Sequence, residues 1–144
     1  MTHLRNRKGF TLVEIISVVL ILGIVAAVVV PMMDTSSVEV SVSASTIEGD
    51  LRFIQELAMS RNPATGTPVS IVFSAGATTY AITDPSGLYD TSRTLPDGVT
   101  ILSGGTISFN KFGEPTSIAS IQVKEGSSVK TITVEQFTGR VTVS

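Results

Sequence analysis

The sequence predicts an α+β fold: an apolar N-terminal helix long enough to span a membrane, an amphipathic helix, and a C-terminal antiparallel β-sheet head. Three observations carry this. Residues 10–30 form a run in which 17 of 21 residues are apolar, the exceptions being Thr11, Glu14, Ser17 and Gly23. Residues 44–58 carry apolar side chains at three- and four-residue spacing. From residue 69 onward, short Thr- and Val-rich runs alternate with Gly-containing turns.

Composition narrows the function classes. A chain of 144 residues holds one modest domain plus an appended element. Formal net charge is −2, but Arg5, Arg7 and Lys8 precede any acid. Removing those three cations leaves seven against twelve acids, so residues 10–144 carry −5. An acidic exposed domain is a poor generic binder of nucleic acid. There is no cysteine, which excludes disulfides and thiolate metal sites. The only histidine is His3, so no histidine base or ligand is available beyond it.

As a helix, residues 10–30 would be roughly 31 Å long, about the thickness of a bilayer's hydrocarbon core. Lipid offers the backbone no hydrogen bonds, so helix prevails despite many β-branched residues. The cations precede the run, which keeps the N-terminus cytoplasmic and exports the head. A cleaved secretory signal fits poorly, because Val25-Ala26-Ala27-Val28 is followed by more valines and Pro31 rather than a small-residue cleavage site. An uncleaved anchor explains everything except Glu14. A carboxylate deep in lipid costs roughly 2.5–3.5 kcal/mol on insertion scales, less one turn from the end, and asks for a partner.

Arg7-Lys8-Gly9-Phe10-Thr11-Leu12-Val13-Glu14 resembles the processing motif of type IV pilins and type II secretion pseudopilins. The resemblance implies several things. A prepilin peptidase cuts between Gly9 and Phe10, releasing residues 1–9 as a cytoplasmic leader. Phe10 becomes N-methylphenylalanine. Glu14, the fifth mature residue, pairs with a neighbouring subunit's N-terminal amine during assembly, so that a buried anion meets a buried cation. Residues 10–33 form the transmembrane and assembly helix. Gly23 and Pro31 mark a place where the helix bends, or melts locally between residues 23 and 30 in filaments, since proline removes a backbone donor and glycine is a weak helix former.

Residues 34–62 follow as the amphipathic half of that helix. Asp34-Thr35-Ser36-Ser37 offers N-caps. Residues 38–43 alternate apolar and polar, which alone would read as strand, and the family's helix is followed here. Ala44, Ile47, Leu51, Ile54 and Ala58, widened by Leu57, form the apolar stripe; Glu48, Asp50, Arg52 and Glu56 fall elsewhere on the wheel. The helix ends near Arg61-Asn62-Pro63, and residues 62–68 make a turn-rich connection.

The β-rich head spans residues 63–144. Strand-like runs are expected at 69–74 and 78–83 around Ala75-Gly76-Ala77, at 99–102 and 106–110 around Ser103-Gly104-Gly105, and at 117–124 and 129–135 around Glu125-Gly126-Ser127-Ser128. Residues 84–98 read as one long loop. Residues 137–143 close the chain as a turn and a last strand. The stretches Ile107-Ser108-Phe109-Asn110-Lys111-Phe112-Gly113-Glu114-Pro115 and Thr138-Gly139-Arg140-Val141-Thr142-Val143 resemble the GspH/FimT-type minor pseudopilins and minor pilins. The absence of cysteine departs from major pilins that staple a C-terminal loop.

Asp84, Asp90 and Asp97 share one loop with Ser86 and Thr91, but their spacing of six and seven residues is too loose for a calcium loop, so a solvated loop is expected and no metal or cofactor. Glu48, Asp50 and Glu56 read as the wet face of a helix rather than paired catalytic carboxylates, and no enzyme is expected. Arg140, with Lys130 and Lys124, is too sparse a tail for phosphate binding, so nucleic acid is disfavoured and Arg140 is expected to pair an acid or cover apolar surface.

The expected function is that of a structural minor subunit of an inner-membrane-assembled filament, for type II secretion or a type IV pilus. Its expected partners are other pilin or pseudopilin subunits, prepilin peptidase, the inner-membrane assembly platform and membrane lipid. Two alternatives stand beside it. One is a minor pilin whose head binds DNA or a surface. The other is an unassembled membrane-anchored periplasmic domain, which filament incorporation would distinguish.

Overall fold

The computed structural model describes residues 9–29, 35–61 and 68–144. All of the expected leader 1–9 except Gly9, Pro31 with the 30–34 junction, and residues 62–67 of the expected connection therefore lie outside the described residues. The chain divides into two compact units, Met1–Asp34 and Thr35–Ser144.

The first unit holds α1, Leu12–Val29, an 18-residue helix with no buried residue. Its mean hydropathy of 3.0 and its length suffice to cross a membrane. At 1.5 Å per residue it is about 27 Å long.

The second unit opens with α2, Ser36–Arg61. Its buried face includes Val40, Ala44, Ile47, Leu51, Ile54 and Ala58, spaced four, three, four, three and four. That 3.6-residue period extends back through the segment whose alternation alone suggested strand. Val38 and Val42 fall on the outer face, at 60% and 54% exposure, while Val40 is buried between them in sequence.

Among the described residues nine strands follow: β1 Val69–Phe73, β2 Thr79–Thr83, β3 Thr91–Thr94, β4 Thr100–Ser103, β5 Gly105–Phe109, β6 Pro115–Ser117, β7 Ile121–Glu125, β8 Ser128–Val134 and β9 Val141–Val143. They form two antiparallel sheets, ordered β3-β2-β1-β5-β6 and β4-β7-β8-β9. α2 packs against β1 and β5 of one sheet and against β7, β8 and β9 of the other. One apolar core results, with Ile71, Ile107, Phe109, Ile121 and Ile132 at its fully buried centre.

Two sequence expectations need correction. The supposed loop at 84–98 contains β3, whose Thr-Ser-Arg-Thr side chains are all exposed and so carry no apolar alternation. The single strand expected at 117–124 is instead the end of β6 in one sheet and then β7 in the other. The chain changes sheets at residues 118–120, where Ile118 is left 47% exposed. The runs at 99–102 and 106–110 likewise belong to different sheets. Gly104 stands at that crossing, where a Cβ would run into the Phe73 carbonyl.

Candidate functional site

Thr11 caps α1. The Glu14 N–H donates to the Thr11 carbonyl at 3.1 Å and to its Oγ1 at 3.3 Å. Glu14 is thus the third residue of the helix, at capping-box spacing from Thr11, and an anion near a helix N-terminus is electrostatically favoured. Ser17 Oγ donates to the Val13 carbonyl at 2.8 Å, so this hydroxyl is satisfied within the helix. The Glu14 carboxylate has no hydrogen-bond or ion-pair partner among the described residues. It is the only charged side chain in α1. Gly9, Phe10, Thr11 and Glu14 line one shallow recess, and Phe10 is 79% exposed. The structure therefore brings Gly9, Phe10 and Glu14 together at one helix end. Gly23 lies inside α1, which runs through it unbroken, with open space where a side chain would stand.

In the head, the two stretches that resemble minor subunits converge on a residue the sequence reading passed over. Gln55 Nε2, on α2, donates to the Gly113 carbonyl at 2.8 Å and to the Thr138 carbonyl at 3.4 Å. Gly139, at φ +65°, sits so close that a Cβ there would strike the Gln55 amide. Asn110 shapes the first turn, its Oδ1 accepting from the Phe112 and Glu114 amides at 2.8 and 3.1 Å. The glycines and Asn110 are visible in the sequence as turn chemistry. Their meeting at one glutamine requires the tertiary fold.

The carboxylates are placed differently from expectation. Asp50 is buried, not on the wet face. Its Oδ2 accepts from the Tyr80 hydroxyl at 2.6 Å and lies 3.3 Å from Arg93 Nε. Its position three residues after Ile47 and four before Ile54 puts it beside the apolar stripe, a signal the sequence did carry. Burial, and then the bond to Asp50, push the Tyr80 hydroxyl pKa far up. Asp84 is also buried, against the expected solvated loop. Arg61 Nη1 and Ser86 Oγ each donate to its Oδ2 at 2.6 Å, and the Ser86 amide donates to Oδ1 at 3.0 Å. Burial disfavours its charge, but the Ser86 bonds and the Arg61 guanidinium outweigh this and hold the carboxyl below its ordinary range. Asp90 contributes an acceptor for the Asp84 amide at 2.6 Å. These aspartates clasp the β2–β3 loop to the end of α2. No cluster of three or more metal-ligating side chains forms among the described residues.

Arg140 is exposed at the turn before β9 and makes no ion pair among the described residues. The expected acid partner for it is therefore absent there. Lys130 lies near the opposite end of β8.

Residues 4–30 match the family described as the prokaryotic N-terminal methylation motif. The match takes in the Gly9–Phe10 junction, Glu14 and all of α1, and leaves the head outside it. No curated protein and no solved structure matches the chain.

Proposed function

We propose that this chain, whose residues 4–30 match the prokaryotic N-terminal methylation motif, is a type IV pilin-like or pseudopilin-like minor structural subunit of a filament assembled from the inner membrane. The observation that carries this reading is the Glu14 carboxylate, without a partner among the described residues, one turn into an otherwise uncharged, fully exposed apolar helix. Among the described residues no cation meets it, and an anion so placed favours one brought to it. Cleavage between Gly9 and Phe10 would create one, at the N-terminus of each neighbouring subunit. Two poorly solvated charges then favour subunit docking over separation.

On this reading residues 1–9 are the leader, residues 10–33 insert and assemble, Phe10 carries the methyl group, and the head is extracted with the filament. The Gly23–Pro31 segment is where the helix yields as subunits pack. The head is of the GspH/FimT type that its two turn stretches resemble, and Gln55 joins those stretches. The role is structural rather than catalytic. A DNA-binding head has less support, because Lys130 lies near the start of β8 while Arg140 lies in the turn between the end of β8 and β9, so the two do not gather into a patch.

The test is Glu14→Ala. Insertion and cleavage should persist, since the segment becomes more apolar. Recovery of partner subunits in sheared filaments, compared at matched membrane levels, should fall. Equal recovery would return the unassembled anchor as the better reading.

A further inference from the structure

The strand order leaves β3 at the edge of the five-stranded sheet. The Leu95 amide donates to the Thr78 carbonyl at 2.8 Å, while Arg93 stands opposite Tyr80 and Thr91 opposite Ile82. Antiparallel pairing alternates, so Thr91 and Arg93 turn their backbone groups toward β2, and Ser92 and Thr94 turn theirs away. No backbone partner meets those outward groups among the described residues, and all four side chains of β3 are exposed. Beside this edge lies a cleft of about 390 Å³, lined by Val42 and Thr46 of α2 together with Tyr80, Arg93, Leu95 and Pro96. Its α2 wall continues into the exposed face bearing Val38.

We propose that β3 and this cleft form a docking site for an extended segment of another polypeptide, which adds to the sheet as a sixth strand. A row of alternating donors and acceptors at strand spacing recognises a peptide backbone rather than a lipid or a nucleic acid. Alternate side chains of the added strand enter the cleft. One is apolar, against Val42, Leu95 and Pro96. Another is a carboxylate at Arg93, whose Nε and Nη2 face Asp50 while Nη1 makes no bond among the described residues. A second copy of this chain is the poorer occupant. Setting Ser92 against Thr94 of a partner copy brings the two Arg93 side chains face to face, and like charges directly opposite are destabilising. A short edge carrying an arginine thus resists self-pairing yet stays open to a complementary strand.

The probe is a synthetic, end-capped heptapeptide, Thr-Val-Thr-Glu-Thr-Val-Thr in order, whose valines and central glutamate share one face of the strand; it is added to the full chain in detergent micelles. Amide exchange, read residue by residue by NMR, should slow about fivefold or more at Ser92 and Thr94 and stay unchanged at Thr91 and Arg93, already bonded to β2. Ser92→Pro removes an outward donor that β2 does not use, so the fold should hold and the protection vanish. Val42→Glu alters an already exposed side chain and should weaken peptide binding about tenfold by placing a carboxylate in the cleft. No slowing at about 1 mM peptide, the weak limit of measurable affinity, overturns the proposal. So does slowing that Ser92→Pro and Val42→Glu leave intact. Concentration-dependent protection without peptide would show self-pairing and overturn the choice of occupant.

Discussion

At the scale of single residues, small differences in side chain carry the argument. Gly9 precedes the exposed Phe10, and nothing stands within 4 Å of where a Cβ at Gly9 would lie. Any intolerance of Gly9→Val must therefore come from the peptidase rather than from the chain's own packing. The expected outcome is a mature wild-type protein beginning at Phe10 with one N-terminal methyl group, and a Gly9→Val protein that keeps its leader. Intact-mass spectrometry of membrane-extracted protein decides this, and a mature start after Ala27 would contradict it. Gly139 is the opposite case. Its φ of +65° and its contact with the Gln55 amide both exclude a side chain. Gly76, at φ +79°, has open space around it. Gly76→Ala should cost only backbone strain, about 1 kcal/mol. Gly139→Ala should cost clearly more, about 2 kcal/mol or above, because Gln55 must also release the Gly113 and Thr138 carbonyls. Urea midpoints of the two variants provide the comparison, and equal losses would show that Gln55 does not hold the two turns together.

At the scale of elements, α2 is fixed to the strands by two buried aspartates as well as by its apolar stripe. Asp84 gives a pH dependence whose sign follows from its environment. Its folded-state pKa lies below the ordinary aspartate value, so the folded state holds its proton less tightly than the unfolded chain does. The stabilisation is complete well above about pH 4, the ordinary aspartate pKa. It fades as pH falls through the folded-state value. Asp84→Asn should flatten the acid limb of stability against pH, and an unchanged limb would assign that dependence to other carboxylates. Asp50 offers a second measurement. Asp50→Ala should cost about 2 kcal/mol, because it strands the buried Tyr80 hydroxyl. Arg93→Ala should cost less, at most about 1 kcal/mol, because Arg93 is 54% exposed and its ion pair is screened by solvent. The elements differ in how far the sequence disclosed them. α1 and the stripe of α2 were legible because one face or a whole helix is apolar. β1, β2 and β8 were legible because their alternation survives in Ile, Val and Tyr. β3 was not, because an edge strand exposed on both faces has no apolar period to detect. Asp50 and Asp84 looked solvated because their partners, Tyr80, Arg93 and Arg61, lie 23 to 43 residues away in sequence. The recess at Gly9, Phe10 and Glu14 was readable because its residues are neighbours in sequence, and the Gln55 junction was hidden because its parts are 58 and 83 residues apart.

At the scale of the whole molecule, the chain joins two units that obey different solvents. α1 has no buried residue and is apolar around its full circumference, so water is a poor environment for it on every side. Among the described residues, every buried apolar side chain, from Val40 to Val141, lies in the unit Thr35–Ser144. α2 supplies one wall of that core and the two sheets supply the rest. A chain beginning at Thr35 should therefore be soluble, show mixed helix and strand by circular dichroism, and unfold in one cooperative transition. Truncation within α2 should behave differently. Starting at residue 46 removes Val40, Ser43 and Ala44, all buried, and uncovers the apolar strands beneath them. Loss of a buried wall of that kind costs several kcal/mol, comparable to the whole stability of a small domain. The 46–144 chain should aggregate or show no sharp transition, while the 35–144 chain melts sharply and is indifferent to chelators, since Arg61 rather than a metal neutralises Asp84. If the 35–144 chain aggregates, the head requires the membrane helix to fold, and the separation of insertion from head architecture fails. If chelation lowers its melting temperature strongly, a cation shares the β2–β3 loop, and Arg61 is not the group that balances Asp84.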